Sequence, residues 1–255
     1  MRSRAAKRQK VFQISIRLFS LLVFALIWEV AGRAEISFGL RPLSGTLKAL
    51  VDLIGSGDLA YAFLISFRTL ITGFTAAAIF GVSLGLIMGT FRRIEHFCNV
   101  YFMLLLSMPT AALIPLILLT MGFGFVAESL IVFLFAVPII AINTHTGVLN
   151  IDASLIQMSR CFLASRSQLF LKVILPGSVP MMMAGLRLGL SRAFIGMITA
   201  ELILSPLGLG RLISISTSKF QYERLFAVTL SILIVAALIL DGMQRVERRL
   251  LRWRH

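Results

Sequence analysis

The sequence predicts an all-α, polytopic membrane protein of about six transmembrane helices, and three observations carry that expectation. Hydrophobic residues fill 58% of the 255 positions and charged residues only 14%, against about 25% charged in a soluble domain; the mean hydropathy is +0.93. The apolar residues gather in runs of the roughly 20 residues that a helix needs to cross about 30 Å of hydrocarbon. Most of the Lys and Arg residues fall between those runs and favour one side. The net charge of +14 is therefore read as loop charge rather than a phosphate-binding face, and no nucleic-acid partner is expected.

The first run, about Val11 to Ala31, follows a basic arm. It exceeds the 7–15 residues of a signal-peptide core, and Trp28-Glu29 makes a poor cleavage site, so a retained anchor is expected. The second run spans about Leu59 to Thr90 and is long enough to tilt. The third, about Phe97 to Leu119, contains Pro109 and Pro115; the fourth covers about Phe125 to Ile142. The fifth, about Met181 to Leu204, is interrupted by charges, and the sixth covers about Leu225 to Leu240. Residues 1–58 thus read as arm, first span and external loop, 59–243 as the core, and 244–255 as a basic tail lying on anionic headgroups with Trp253 at the interface. Basic residues of the arm, of the turn at Arg92-Arg93, of the segment with Arg160, Arg166 and Lys172, and of the tail number fifteen, against six on the other side. Positive residues stay inside, so both termini are expected in the cytoplasm. Cys98 and Cys161 then lie on the reducing side, where no disulfide is expected.

Within the second run, Gly73, Ala77, Gly81, Gly85 and Gly89 recur every four residues. This stripe lets another helix approach closely, and Gly185, Gly189 and Ala193 form a shorter one. Ionisable residues at membrane depth cost about 2.5–3.5 kcal/mol each and face protein or water. The fifth span holds Arg187, Arg192 and Glu201, read as candidates for the pathway or gate; the two arginines also lie within reach of the cytoplasmic interface. Arg187 and Glu201 share a helix face but stand about 21 Å apart along it. Glu29, Arg68, Glu128 and Asp241 are read as interfacial.

Between the fourth and fifth spans, residues 143–180 are neither span nor plain loop. Asp152 fits the N-cap of a helix reaching Phe162 or Leu163, with Leu155, Met158, Ser159 and Phe162 on one face. Ser165 and Gln168 form a capping-box pattern for a second helix that ends at Leu175-Pro176. An apolar helical face offered to the cytoplasm is a docking element.

The run Ile151 to Arg160, then Ala164-Ser165, Val173-Ile174-Leu175-Pro176 and Gly185-Leu186-Arg187-Leu188, resembles the loop of binding-protein-dependent ABC importer permeases. Ala200-Glu201 and Gly208-Leu209-Gly210-Arg211-Leu212-Ile213 are similar to the nitrate, sulfonate and taurine branch. The resemblance covers nearly the whole chain. It implies a type I importer fold in a bacterial inner membrane and a pathway for a small oxyanion or organic sulfonate, such as nitrate, taurine or an alkanesulfonate. An uncharged vitamin or pyrimidine precursor is the alternative cargo. The implied partners are an ATP-binding subunit dimer carrying ATP and Mg, a second permease copy or a paralogous permease, and an external substrate-binding protein. The implied contact to the ATPase involves Leu155, Gln157, Met158, Ser159, Arg160, Phe162, Leu163, Ala164, Ser165, Leu175 and Pro176. The chain lacks a GxxxxGK[ST] phosphate loop, so no cofactor of its own and no enzymatic activity are expected. A secondary transporter would show midplane acids and inverted repeats, of which no clear sign is present.

One departure stands out. Where the family loop carries Glu-Ala-Ala and then Gly, this chain has Gln157, Met158, Ser159 and Leu163. A left-handed Leu costs roughly 1–2 kcal/mol, so the turn is expected to move toward Ala164-Ser165 or to be rebuilt.

Overall fold

The computed structural model describes residues 2–34, 39–204 and 207–251, and the side chains of these apart from 2–11, 13, 14, 17 and 18. The basic arm's side chains, part of the first expected span, and Arg252, Trp253 and Arg254 of the tail therefore lie outside the described residues. Every regular element among the described residues is helical. The chain divides into two compact units, residues 1–60 with 213–231, and residues 61–212 with 232–255.

The first unit contains α1 (Arg2–Arg33) and α2 (Leu43–Gly55). Trp28 packs edge-on against Phe226 with ring centroids 5.8 Å apart, and its indole N–H donates to the Arg41 carbonyl at 3.0 Å. The Glu29 carboxylate accepts from the backbone N–H and the hydroxyl of Ser44, both at 2.9 Å. It thereby satisfies the exposed first turn of α2, which Pro42 starts without a side-chain cap.

The second unit is built around α6 (Phe125–Leu149). The long α3 (Asp58–Thr90) lays its small-residue stripe on one side of α6. A Cβ added at Gly73 would stand 2.5 Å from the Ser129 carbonyl oxygen, and one at Gly85 2.5 Å from that of Ala141; Gly81 faces Ile140 and Gly89 faces Val148. Ala77, between them, is fully buried. The other side of α6 receives α9 (Leu175–Leu204). There a Cβ at Gly185 would meet Asn143 at 2.7 Å, while Gly189 meets Ile140. Glycines of both stripes thus lie close against α6, and Ile140 is gripped from both sides. With as little to gain from hydrophobic exclusion in lipid as between lipid tails, such close contact is what holds helices together.

Among the described residues, four helices are long and apolar enough to cross a membrane: α3, α6, the stretch Arg166–Leu204, and α11 (Tyr222–Leu250). A fifth crossing is made if α4 (Arg92–Ser107) and the following Thr110–Met121, which contains α5 (Ile114–Met121), count as one. These two meet at 95°, a correction to the single third span. The cause is Pro109, which drives Met108 into extended backbone at φ −81°, ψ 137° and ends α4.

The second helix after α6 does not stop at Leu175-Pro176 either. After α7 (Ala153–Cys161) and α8 (Arg166–Leu169), a widened π-type turn over Phe170–Ile174 runs directly into α9. Leu175 N–H reaches back five residues to the Phe170 carbonyl, and the extra width accommodates the Pro176 ring, which would clash in a regular helix. The chain then stays helical through Pro180 to Leu204, so Met181, Met182 and Met183 lie within a helix and not at its start.

Candidate functional site

The segment that follows α6 is assembled by local hydrogen bonds. Asp152 accepts from the Ser154 backbone N–H at 2.9 Å and starts α7; that bond holds its carboxyl below the usual aspartate range. Ser159 turns its hydroxyl back to the Leu155 carbonyl at 2.8 Å, leaving Gln157 and Arg160 exposed. Leu155, Met158 and Phe162 follow one another along α7 and are 48%, 55% and 81% exposed. An apolar face left open on an otherwise polar segment marks a contact surface.

The end of α7 corrects the expected shift of the turn. Leu163 itself adopts the left-handed conformation, at φ 54°. Its N–H donates to the Arg160 carbonyl at 2.9 Å, and the Ala164 N–H donates to the Ser159 carbonyl at 3.0 Å, the paired bonds of a Schellman ending. Ser165 is already committed to the next cap: its N–H donates to Gln168 Oε1 at 2.9 Å, and Gln168 N–H donates to Ser165 Oγ at 3.3 Å. Moving the turn by one residue would break bonds worth about 0.5–1.5 kcal/mol each, which together outweigh the strain of a left-handed Leu. At 91% exposure, the strained Leu163 projects beside Phe162. Leu175 and Pro176, half-buried, lie beyond the π turn at the base of the segment.

The three charged residues of α9 separate into three environments. Arg187 pairs with Glu247 of α11 at 3.4 Å, a partner that sequence spacing had no means of revealing. Arg192 is exposed and lines a cavity with Thr199 and the Pro109 bend. Glu201 is 1% exposed, and its Oε2 accepts from the Gly210 N–H at 2.8 Å. It thus caps α10 (Gly208–Ser218), where a negative charge meets unpaired N–H groups and the positive end of the helix dipole. Gly208 sits at φ 84°, and a Cβ there would stand 2.8 Å from the Glu201 carboxylate.

Sequence reading missed the company Glu201 keeps. Ser66 of α3 accepts from the Leu209 N–H at 3.0 Å. One turn along, Thr69 donates to Glu128 Oε2 at 3.3 Å. Glu128 is buried at 5% exposure, which corrects its interfacial reading. The signal for this cluster in the sequence was a pair of hydroxyls three residues apart, Ser66 and Thr69, on either side of Arg68. We expect Glu201→Ala to destabilise the protein by about 2–3 kcal/mol, because it orphans buried donors. A thermal midpoint in detergent within 1 °C of wild type would show that the carboxylate does not hold α10. Loss of transport with that midpoint retained would instead make it a pathway residue.

Comparisons with known proteins agree with this architecture. Residues 79–252 match the family described as Binding-protein-dependent transport system inner membrane component. A Bacillus subtilis chain named as an aliphatic sulfonates transport permease, SsuC, is 32% identical over 91% of this chain and 85% of its own length. The taurine transport system permease TauC of Escherichia coli is 26% identical over 94% and 90%. The bicarbonate transport system permease CmpB of Synechococcus elongatus is 28% identical over 96% and 91%. Among solved structures, the inward-facing MetNI methionine ABC transporter superposes with a TM-score of 0.60 at 20% identity, over 76% of this chain and 95% of that one. An amino acid ABC transporter follows at 0.59 and 15%, over 80% and 94%. The helical core around α6 is therefore of the type I ABC importer kind, and the chain belongs to the family of inner membrane permease components of binding-protein-dependent transport systems.

Proposed function

We propose that this permease moves a small oxyanion or organic sulfonate inward, driven by ATP hydrolysis on a separate dimer of ATP-binding subunits. The single observation that carries the coupling role is the open face of α7, with Leu155, Met158, Phe162 and Leu163 exposed together on a segment pinned by a cap at each end. Such a face, rigid and apolar, fits a groove on a partner and transmits its movement into α9 through the unbroken helix from Arg166. ATP and its Mg belong to that partner, since this chain carries no phosphate loop. A substrate-binding protein delivers cargo at the opposite face, and both termini lie in the cytoplasm, as the fifteen-to-six distribution of basic residues favours.

The anionic cargo is supported by the aliphatic sulfonate, taurine and bicarbonate permeases that the chain resembles, and by the guanidinium of Arg192 on α9, which has no ion pair among the described residues. Gln157, Met158, Ser159 and the left-handed Leu163 give this loop a sequence that suits a matched ATPase, or a complex in which a paralogous permease supplies the second half. Purification with tagged subunits tests this directly. Uptake into vesicles is expected to stop when ATP is withdrawn while ion gradients are held. Uptake that continues sinks the ATP-driven reading, and full activity with this chain as the only permease sinks the paralogous pairing.

A further inference from the structure

Arg192 stands twelve residues before the end of α9 at Leu204, about 18 Å along the helix and beyond the midpoint of a 30 Å hydrocarbon layer counted from that end. Its side chain is exposed and has no ion pair or hydrogen bond with any described residue. That contrasts with Arg187, five residues further from Leu204, which has found Glu247. A guanidinium at such depth does not face lipid without a cost of about 2.5–3.5 kcal/mol or more. Its surroundings are therefore water, a polar solute or a partner subunit, and the cavity beside it favours the first two.

The chain provides space for both. Beside Arg192 lies a cavity of about 280 Å³ that also takes in Thr110, Thr199, Pro109, Phe135 and Pro138. It exists because α4 breaks at Pro109 and the chain leaves at 95°; a straight continuation of α4 would not open this angle. The hydroxyl of Thr110 has no partner among the described residues, and that of Thr199 donates to the Ile195 carbonyl at 2.7 Å. No carboxylate lines the cavity, so the positive charge is uncompensated. The volume lies just under the range of pockets that take drug-sized ligands, which suits a solute of few heavy atoms.

We propose that Arg192 is the residue that contacts the transported anion, at a subsite in the angle of the α4–α5 bend, with Thr110 as a second donor. The guanidinium offers paired N–H groups to two oxygens of a sulfonate, nitrate or bicarbonate. Phe135 and the prolines close the apolar side against the short carbon chain of a sulfonate. This assignment rests on the reading that the cargo is an anion.

The test uses the complete complex, with its ATPase and binding protein, in proteoliposomes and with labelled ethanesulfonate, nitrate and bicarbonate as probes. Wild-type uptake of at least one of them is expected; uptake of none overturns the anion reading and this site with it. For the transported anion, Arg192→Gln is expected to lower kcat/KM by at least about 20-fold and to raise the ATP consumed per solute moved. Arg192→Lys is expected to recover all but about 5-fold, because the charge returns without the fork. Thr110→Val, which keeps shape and removes the donor, is expected to lose about 5-fold. Uptake by Arg192→Gln within twofold of wild type overturns the site even when the wild type moves anions. Failure of that variant to assemble, with Arg192→Lys and Thr110→Val both at wild-type uptake, assigns Arg192 to a subunit contact and overturns the site as well.

Discussion

Leu163→Asp is expected to reduce ATP-driven uptake by at least about 100-fold while leaving the permease folded. Leu163 is 91% exposed, so the folded chain alone has little reason to object. The penalty arises on docking. A carboxylate forced into an apolar groove loses its water without gaining a partner, at a cost of several kcal/mol, and about 3 kcal/mol already corresponds to a hundredfold loss of the docked form. Hydrolysis by the ATPase then proceeds without moving α9. Unchanged transport in reconstituted vesicles would show that the α7 face is not the handle. Leu163→Gly separates contact from strain. Glycine adopts φ 54° freely, so the variant is expected to be about 1 kcal/mol more stable and yet to couple about tenfold less well, since it lacks the side chain that docks. A gain in stability with full coupling would mean that the strained leucine has no role beyond closing α7.

The second large effect is expected at Gly85. A leucine there is predicted to prevent α3 from seating on α6, with little or no assembled complex recovered from membranes. The first added atom would lie 2.5 Å from the Ala141 carbonyl oxygen and 2.7 Å from Thr144 Cβ. Backbone oxygen of a helix does not move aside, so the two helices must separate along their whole contact. Overpacking of this kind costs about 1–3 kcal/mol in a soluble core. It weighs more here, where close helix approach is the source of cohesion. Gly242→Ala is the control, since nothing lies within 4 Å of a Cβ at that position of α11. It is expected to be neutral or to stabilise by about 0.5–1 kcal/mol. Normal recovery and midpoint for Gly85→Leu would refute the tight α3–α6 seam; a loss at Gly242 equal to that at Gly85 would show that any added side chain disrupts the protein.

These predictions draw on features of different legibility. The Gly73 to Gly89 stripe, the Asp152 cap and the Ser165–Gln168 capping box were readable because each is a local rule, a spacing or a hydrogen bond between residues at most four positions apart. The π turn at Phe170–Ile174 was not, because Pro176 signals a stop and only the continuing packing of α9 on α6 overrides it. Leu163 was misread for a related reason: the cost of its left-handed backbone is visible in one residue, whereas the bonds that offset it come from Ser159, Arg160 and the cap that follows.

Composition, hydropathy runs and basic-residue placement determined by themselves that this chain is helical, crosses a membrane several times and presents a capped segment between its fourth and fifth runs, because those properties follow from transfer energies and short-range geometry. Only the tertiary structure decided what its charges do. Arg187, Arg192 and Glu201 are alike in sequence, each an ionisable residue in an apolar helix. One meets Glu247, one opens on the cavity behind Pro109, and one caps α10. An ion's free energy in a membrane is set by the groups within a few ångströms, and those groups come from helices distant along the chain.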